Sequence, residues 1–219
     1  MRRVANKWVK FQSLNQHTGI ARHIPEMRRY STAALSEMLG RYGFVVVKPL
    51  VGTGGSGVVK IERVSEGTYR YHYKQTRKTV NSMESLIRRI NRIRNGRRYM
   101  IQRGIHLVTI GGRPVDYRVK MVRAGARWRI TAVVARIARR GQFITNLCRG
   151  GEMSRGYHAL RHSFPAKSAR LKKETMRGVA RTSTYVLERR YPGIGELGYD
   201  FGVDRSGRIW MFEVNTNPH

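Results

Sequence analysis

The amino-acid sequence predicts an α+β fold, and three observations support this class. Several stretches repeat apolar residues at the three- to four-residue spacing of amphipathic helices. Others are short apolar runs bounded by glycine, proline or asparagine, as strands are. The predicted helices and strands do not alternate in the strict βαβ order of parallel-sheet proteins. With 219 residues, 40% of them hydrophobic, the chain can bury a core in one domain or in two small ones.

The helices follow from apolar periodicity and capping residues. They are expected over residues 4–18, 31–41 and 82–95 and, after a basic loop, within 161–190. Gly19 is expected to close the first helix. The third helix is expected to bury one apolar face. Its other face and the residues just after the helix carry a group of arginines that we call the arginine comb: Arg88, Arg89, Arg92, Arg94, Arg97 and Arg98.

The strands follow from β-rich runs between turn signals. They are expected at residues 44–48, 58–63, 69–73, 99–103, 114–123, 128–138, 198–204 and 208–214. The last two should form a hairpin, because the turn-forming sequence from Asp204 to Gly207 separates them.

Composition restricts the functional class. The chain has 44 Lys and Arg against 13 Asp and Glu, a formal charge of +31, which favours an acidic partner such as nucleic acid, an acidic peptide or nucleotide phosphates. The single cysteine, Cys148, excludes an internal disulfide and a cysteine zinc site. The sequence has no apolar stretch long enough for a membrane span and no signal-peptide core, so we expect a cytoplasmic protein.

A glycine-rich segment, Gly52 to Gly57, follows a lysine at the end of a predicted strand, Lys48. Glycines let backbone N–H groups approach phosphates closely, and the lysine adds a positive charge. The segment lies between two predicted strands and matches neither common phosphate-loop motif, because no helix follows it. Two interpretations stay open, a flap that covers phosphates and a hairpin without a ligand.

Two acidic residues interrupt the apolar strands of the last hairpin. Asp200 lies between Tyr199 and Phe201, and Glu213 lies between Phe212 and Val214. Carboxylates in apolar strands are costly unless they are paired or bind a cation. Asn215 follows on the same face of its strand. These oxygen donors suit Mg²⁺ that bridges nucleotide phosphates. The competing interpretation is a surface hairpin with a Glu–Arg pair; the apolar surroundings favour the metal.

The strand-end lysine, the glycine segment and the Asp-x(12)-Glu-x-Asn hairpin together resemble the ATP-grasp superfamily, from Asn6 to Pro218. The resemblance implies a single ATP-grasp unit over residues 1–219, in which two α+β subdomains grip ATP between them. A small subdomain with the flap and lysine would cover about 44–103, and a larger metal-binding subdomain about 104–219, with 1–43 packed beside it. The N-terminal domain that usually precedes the ATP-grasp unit is not recognised in this sequence, and three interpretations stay open: a domain absent from this chain, a partner that supplies it, or a minimal variant.

The resemblance also assigns site residues. The positions that match the superfamily's ATP-binding residues are Lys7, Lys48, Gly54, Gly55, Ser56, Gly57, Gln102 and Ile105. Those that match its ligands for two Mg²⁺ ions are Asp200, Glu213 and Asn215. Asp116-Tyr-Arg118-Val is similar to a motif of the ligases that add glutamate to ribosomal protein tails, as is the segment from Arg136 through Asn146 to Gly151. By that similarity Asp116 contacts ribose, while Arg118, Arg136 and Asn146 hold phosphate or the acyl-phosphate.

The order of motifs most resembles the spore-coat-associated ATP-grasp proteins of the YheC/YheD type. It implies a carboxylate–amine ligase that uses ATP and Mg²⁺. One alternative is an ATP-grasp kinase that phosphorylates an alcohol; another is a basic polyanion- or nucleic-acid-binding protein with a vestigial nucleotide site. The comb and the stretch Arg161–Arg181 would hold an acidic peptide or protein substrate, or would be a solvated surface. Non-specific nucleic-acid binding and association with spores are further expectations.

Overall fold

The computed structural model describes residues 2–52, 54–145, 150–216 and 218. Its helices are α1 (Lys7–Asn15), α2 (Thr18–Ala21), α3 (Thr32–Tyr42), α4 (Met83–Arg94), α5 (Gly156–Arg161) and α6 (Ala166–Arg190). Its strands are β1 (Met27–Arg29), β2 (Phe44–Pro49), β3 (Val59–Ser65), β4 (Thr68–Tyr73), β5 (Thr76–Val80), β6 (Tyr99–Arg103), β7 (Thr109–Ile110), β8 (Arg113–Ala124), β9 (Arg127–Ile137), β10 (Glu152–Arg155), β11 (Glu196–Val203) and β12 (Ile209–Thr216).

These elements form two compact units. Unit one contains the residues up to Ile24 and those from His106 onward, and unit two contains Pro25–Ile105. Each unit has one six-stranded sheet in which all paired strands are antiparallel. Helices and antiparallel strands without a βαβ order make this an α+β fold, as the sequence predicts.

Unit two has the strand order β1-β6-β2-β3-β4-β5. Helices α3 and α4 supply apolar side chains to its core, and the inward side chains of β2, β3, β4 and β6 complete it. Both helices begin at the predicted serines: Ser31 accepts a hydrogen bond from Ala34 N and Ser82 accepts one from Ser85 N, each at 3.1 Å. Such caps satisfy N–H groups that have no partner within the helix.

Unit one has the strand order β10-β9-β8-β11-β12, and β7 pairs with β8. Its N-terminal segment joins the C-terminal part of the chain, since Val4 N donates to Thr216 Oγ1 at 2.9 Å. The predicted final hairpin is β11–β12, with Gly207 in its turn at a φ of 84°. Within the described residues, no helix is long and apolar enough to cross a membrane.

The structure differs from the expectations at several elements, among them strands β1, β5, β7 and β10, which the sequence analysis did not predict. Gly19 lies inside α2 and does not close α1, because the chain turns at His17, whose carbonyl accepts from Ile20 N and Ala21 N. Residues 25–43 belong to unit two rather than lying beside the larger subdomain, since β1 pairs with β6 and α3 packs into that core. Strand β5 was not expected, because an edge strand of mostly exposed polar residues has no apolar alternation to detect.

Candidate active site

The candidate site of unit one lies on one face of its sheet. Along β8 the side chains of Val115, Tyr117 and Val119 are fully buried on the helix side. Tyr199 of the neighbouring strand shares that side, where its hydroxyl lies 2.9 Å from Thr184 Oγ1 of α6. Because successive side chains of a strand alternate, the even-numbered residues of β8 point to the other side. We call that side the ligand face.

Four charged side chains form a network on the ligand face, in which Asp116, Arg136 and Asp200 are buried and Arg118 is partly exposed. Arg118 and Asp200, directly opposite each other in register, make two hydrogen bonds, Nε–Oδ1 at 2.8 Å and Nη2–Oδ2 at 2.9 Å. Arg136 donates from Nε to Asp116 Oδ1 at 2.7 Å. Its Nη2 also lies 3.0 Å from Asp200 Oδ2, so it joins the two carboxylates. Two guanidinium groups thus balance two carboxylates, as burial of charge requires.

The surroundings shift the pKa values of the two carboxylic acids, Asp116 and Asp200, in opposite directions. Burial raises the pKa of Asp116, although Arg136 opposes this effect. Burial alone would also raise the pKa of Asp200, but the guanidinium groups of Arg136 and Arg118 outweigh it and leave the pKa below its ordinary value. Asp200 is therefore the more firmly ionised member of the network, which is the state that a metal ligand needs.

The other two predicted metal ligands lie on the same face. Glu213 pairs in register with Asp200, and Asn215 pairs with Gly198 one step further along the hairpin. A bulge follows Asp200 in this pairing. Directly opposed residues of an antiparallel pair project to the same side, so the sheet brings Asp200, Glu213 and Asn215 together. The sequence analysis expected this convergence.

Two lysines of α1 lie near Glu213. Lys7 Nζ is 3.3 Å from Glu213 Oε1, and only 7% of the Lys7 side chain is exposed. Lys10, which the sequence analysis did not single out, is buried one turn later and donates to Val4 O at 2.9 Å. Burial lowers the pKa of Lys10 to about 8, and the nearby Glu213 carboxylate only partly opposes this shift.

The carboxylate and amide oxygens of the ligand face are the kind of ligand that Mg²⁺ prefers. Within the described ranges, no group of three or more His, Cys, Asp and Glu side chains could by itself hold a metal ion. Mg²⁺ commonly uses only one or two carboxylates and takes its remaining ligands from water and substrate phosphates. Asp200 and Glu213, with the amide of Asn215, supply such a partial set. In this structure Arg118, Arg136 and Lys7 neutralise these carboxylates.

Unit two carries the other predicted ATP-binding residues. Lys48 at the end of β2 donates to Gln102 Oε1 of β6 at 2.8 Å, and both side chains are buried. Among the described residues, Gln102 Nε2 is buried and has no hydrogen-bond partner. Such a group is costly to leave unsatisfied, which favours a ligand or water beside it. Ile105 lies half-buried just beyond β6.

The glycine segment connects antiparallel strands β2 and β3. Gly54, Gly55 and Gly57 have φ values of 65°, 68° and 78°, a region that other residues rarely adopt. Gly57 is also tightly packed, because an added Cβ would lie 2.5 Å from Tyr99 Oη. Ser56 is exposed at the turn. The segment lies between two strands, as expected, and both interpretations, a phosphate flap and a hairpin without a ligand, stay open.

The structure adds one contact to Asp116, and one predicted site residue lies outside the described part of the chain. Thr145 is buried and its hydroxyl donates to Asp116, a contact that the sequence gave no reason to expect because 29 residues separate the two. Asn146, predicted to hold phosphate, lies outside the described residues. The ligand face also carries Lys120 and Arg155, which belong to it by strand register and not by any motif.

Comparison with known proteins identifies a family. Residues 2–219 match the family model described as YheC/D-like ATP-grasp. The endospore coat-associated protein YheD of Bacillus subtilis (strain 168) is 30% identical over 221 residues. That match covers 97% of this chain but 48% of YheD, so the chain spans about half the length of this relative.

Solved structures share the fold at low sequence identity. A carboxyaminoimidazole ribonucleotide synthase from Aspergillus clavatus, complexed with ATP, matches with a TM-score of 0.63 and 12% identity over 100% of this chain and 46% of its own. A D-alanyl-alanine synthetase A from Vibrio cholerae O1 matches with a TM-score of 0.58 and 12% identity over 95% of this chain and 54% of its own.

Proposed function

This chain belongs to the YheC/D-like ATP-grasp family, and from that premise we propose that it is an ATP-dependent carboxylate–amine ligase that works through an acyl-phosphate. The observation that carries the proposal is the ligand face of unit one. Its Asp116–Arg136–Asp200–Arg118 network lies beside Glu213 and Asn215. This arrangement combines fixed positive charge with oxygen donors, which phosphoryl transfer requires.

In the proposed first step, a carboxylate oxygen of the substrate attacks the γ-phosphorus of ATP. The bond from that phosphorus to the oxygen of ADP breaks, and an acyl-phosphate and ADP result. An amine nitrogen then attacks the acyl carbon, a C–N bond forms, inorganic phosphate leaves and the nitrogen loses a proton. The protein supplies no covalent nucleophile in this scheme, so its contribution is positioning and charge.

The residues of unit one have distinct roles in this proposal. Arg118 and Arg136 hold the carboxylates in place and keep positive charge at the site of phosphoryl transfer. Asp200, Glu213 and Asn215 would hold Mg²⁺, which supplies charge neutralisation at the phosphate oxygens when it is bound. Asp116 would contact ribose, as the family resemblance implies. Its hydrogen bonds to Arg136 and Thr145 fix the carboxylate in one orientation.

Unit two would contribute nucleotide-binding groups. Lys48 provides a positive charge for phosphate, and its hydrogen bond to Gln102 Oε1 restricts where its ammonium group lies. The N–H groups of Gly54 to Gly57 are the proposed phosphate donors of the flap. Gln102 and Ile105 lie in and just after β6, the strand proposed to border adenine.

The test is calorimetric titration with ATP, with and without Mg²⁺, in high salt to suppress non-specific binding to this basic protein. We expect Glu213→Gln to remove the Mg²⁺ dependence of ATP binding. Glu174→Gln is the matched control, because it makes the same charge change on α6, where Glu174 only pairs with Arg177. Magnesium-dependent binding that is the same in Glu213→Gln and the wild type would contradict the assignment.

The proposed substrate is an acidic peptide or protein, as the excess of arginine indicates. The name of YheD supports a further proposal, that this protein also acts in association with spores. Incubation with ATP and candidate acids, followed by mass spectrometry, tests the reaction type. An amide product with release of ADP supports the ligase, whereas a stable phosphorylated alcohol would identify a kinase.

A further inference from the structure

One row of the sheet extends the ligand face beyond the candidate active site. Strand register places five side chains in this row, one from each main strand: Arg155 (β10), Val134 (β9), Arg118 (β8), Asp200 (β11) and Glu213 (β12). Directly opposed residues project to the same side of a sheet. Arg155 therefore lies at the sheet edge, in line with the groups proposed to bind phosphate and metal.

Arg155 differs from the other arginines of this face. Arg118 and Arg136 are each bound to buried carboxylates. Arg155 is exposed, and among the described residues it makes no ion pair. The acid nearest to it on β10, Glu152, pairs with Arg113 instead. The guanidinium of Arg155 is thus available to a ligand, with donors suited to bidentate binding of an anion.

The structure has room for a ligand beside Arg155. An open cavity of about 330 Å³ is lined by Ser154, Arg155, Tyr157 and His158. It adjoins β10, which is the edge strand of the sheet that the described residues form. Besides the guanidinium of Arg155, the lining includes Tyr157 and His158 of α5, whose phenol and imidazole groups can donate hydrogen bonds to an anion.

We propose that Arg155 and this cavity bind a second anionic group of the substrate, so that the acid which reacts near Arg118 carries another carboxylate. This inference rests on the proposed function, because it takes the reacting carboxylate to lie near Arg118 and Asp200. Two strand spacings separate Arg155 from Arg118, which is roughly 10 Å between their Cα atoms. A peptide with neighbouring glutamate residues can span that distance; a simple monocarboxylic acid cannot.

The ligand is assigned as a carboxylate peptide rather than a nucleic acid. Single-stranded nucleic acids are bound with aromatic side chains on which bases stack. The row itself has none, since the side chain between the two arginines is Val134; Tyr157 and His158 line the cavity at its edge but belong to α5 and not to the row. A guanidinium fork matches the geometry of a carboxylate, and the proposed reaction itself uses carboxylates.

The probe is tri-glutamate, titrated calorimetrically in high salt with Mg-ADP present, and tri-glutamine is the uncharged comparison. We expect Arg155→Gln to weaken tri-glutamate binding by about tenfold or more, the loss of a charge-assisted contact. Arg155→Lys should keep part of the affinity for tri-glutamate, because lysine keeps the positive charge but lacks the paired N–H donors of the guanidinium. Arg205→Gln is the control, an exposed arginine in the turn between β11 and β12, outside the comb and the Arg161–Arg181 stretch. Mg-ADP affinity should be the same in all four proteins.

The outcomes separate the two proposals. If Mg-ADP binds normally but tri-glutamate binds wild type and Arg155→Gln equally, or does not bind wild type, the inference about Arg155 is wrong. Equal binding of tri-glutamine would also overturn it. An oligothymidylate whose binding depends on Arg155 as strongly would reassign the cavity to nucleic acid. Absence of Mg-ADP binding to the wild type would instead defeat the proposed function.

Discussion

Replacing Arg136 with methionine tests whether the charge network of the ligand face stabilises unit one. The side chain of Arg136 is 8% exposed, and its partners Asp116 and Asp200 are 10% and 8% exposed. Methionine preserves much of the length but removes the cation, which leaves Asp116 buried without a guanidinium and Asp200 with Arg118 alone. Breaking a buried pair from one side costs about 3–5 kcal/mol, so we expect a loss of that size in the free energy of unfolding.

The assay is urea unfolding followed by tryptophan fluorescence. The three tryptophans, Trp8, Trp128 and Trp210, all lie in unit one, so their fluorescence follows that unit. Arg113→Met is the control. It removes the bond to Glu152, whose side chain is 62% exposed, and exposed pairs contribute about 0–1 kcal/mol.

The effect of Arg136→Met should also depend on pH in a defined direction. Burial already raises the pKa of Asp116, and loss of the facing cation raises it further. A carboxyl group with a raised folded-state pKa favours folding below its unfolded pKa and loses that contribution as the pH rises. The difference between wild type and variant should therefore shrink on acidification. A loss below about 1 kcal/mol, with no pH dependence, would refute a buried and mutually dependent network.

Three further predictions follow from single residues. In the wild type, the free energy of unfolding of unit one should rise by up to about 3 kcal/mol between pH 8 and 10.5, because in this range the Lys10 amine is protonated in the unfolded chain but not in the folded protein. Lys10→Met should remove this rise, which urea unfolding at the two pH values measures. Gly57→Ala should lower the melting temperature more than Gly96→Ala: both have positive φ, but only at Gly57 would the new Cβ meet a neighbour, at 2.5 Å. Ser82→Ala should cost about 1 kcal/mol and speed amide exchange in the first turn of α4.

The features that sequence predicts best are local. The β11–β12 hairpin and the caps of α3 and α4 depend on turn residues and on apolar spacing within a few positions, and these appear directly in the sequence. The convergence of Asp200 and Glu213 could be predicted for the same reason, since a short turn fixes the register of a hairpin.

The features that sequence does not predict depend on long-range pairing. The partner of Asp200 turned out to be Arg118, 82 residues earlier, because β8 and β11 are neighbours in the sheet. Arg155 joins the same row only through the pairing of β10 with β9. A bulge in the β8–β9 pairing, between Lys120 and Met121, shifts the register between the turn of that hairpin and the row. No local pattern specifies which distant strands pair, so the composition of the row could be known only from the fold.

The discontinuity of unit one has a consequence for how the protein is made on the ribosome. Unit two is one continuous segment, so all of its strands have been synthesised once residue 105 has emerged. The segment up to Ile24 emerges before unit two, yet its partner Thr216 and the Ile209 carbonyl that binds His23 appear only after unit two. Until they appear, the apolar side chains of α1, such as Phe11 and Leu14, lack part of the surface that buries them in the folded protein. Slow synthesis of the last strands would prolong that exposure, which makes the nascent α1 segment the natural target of a chaperone.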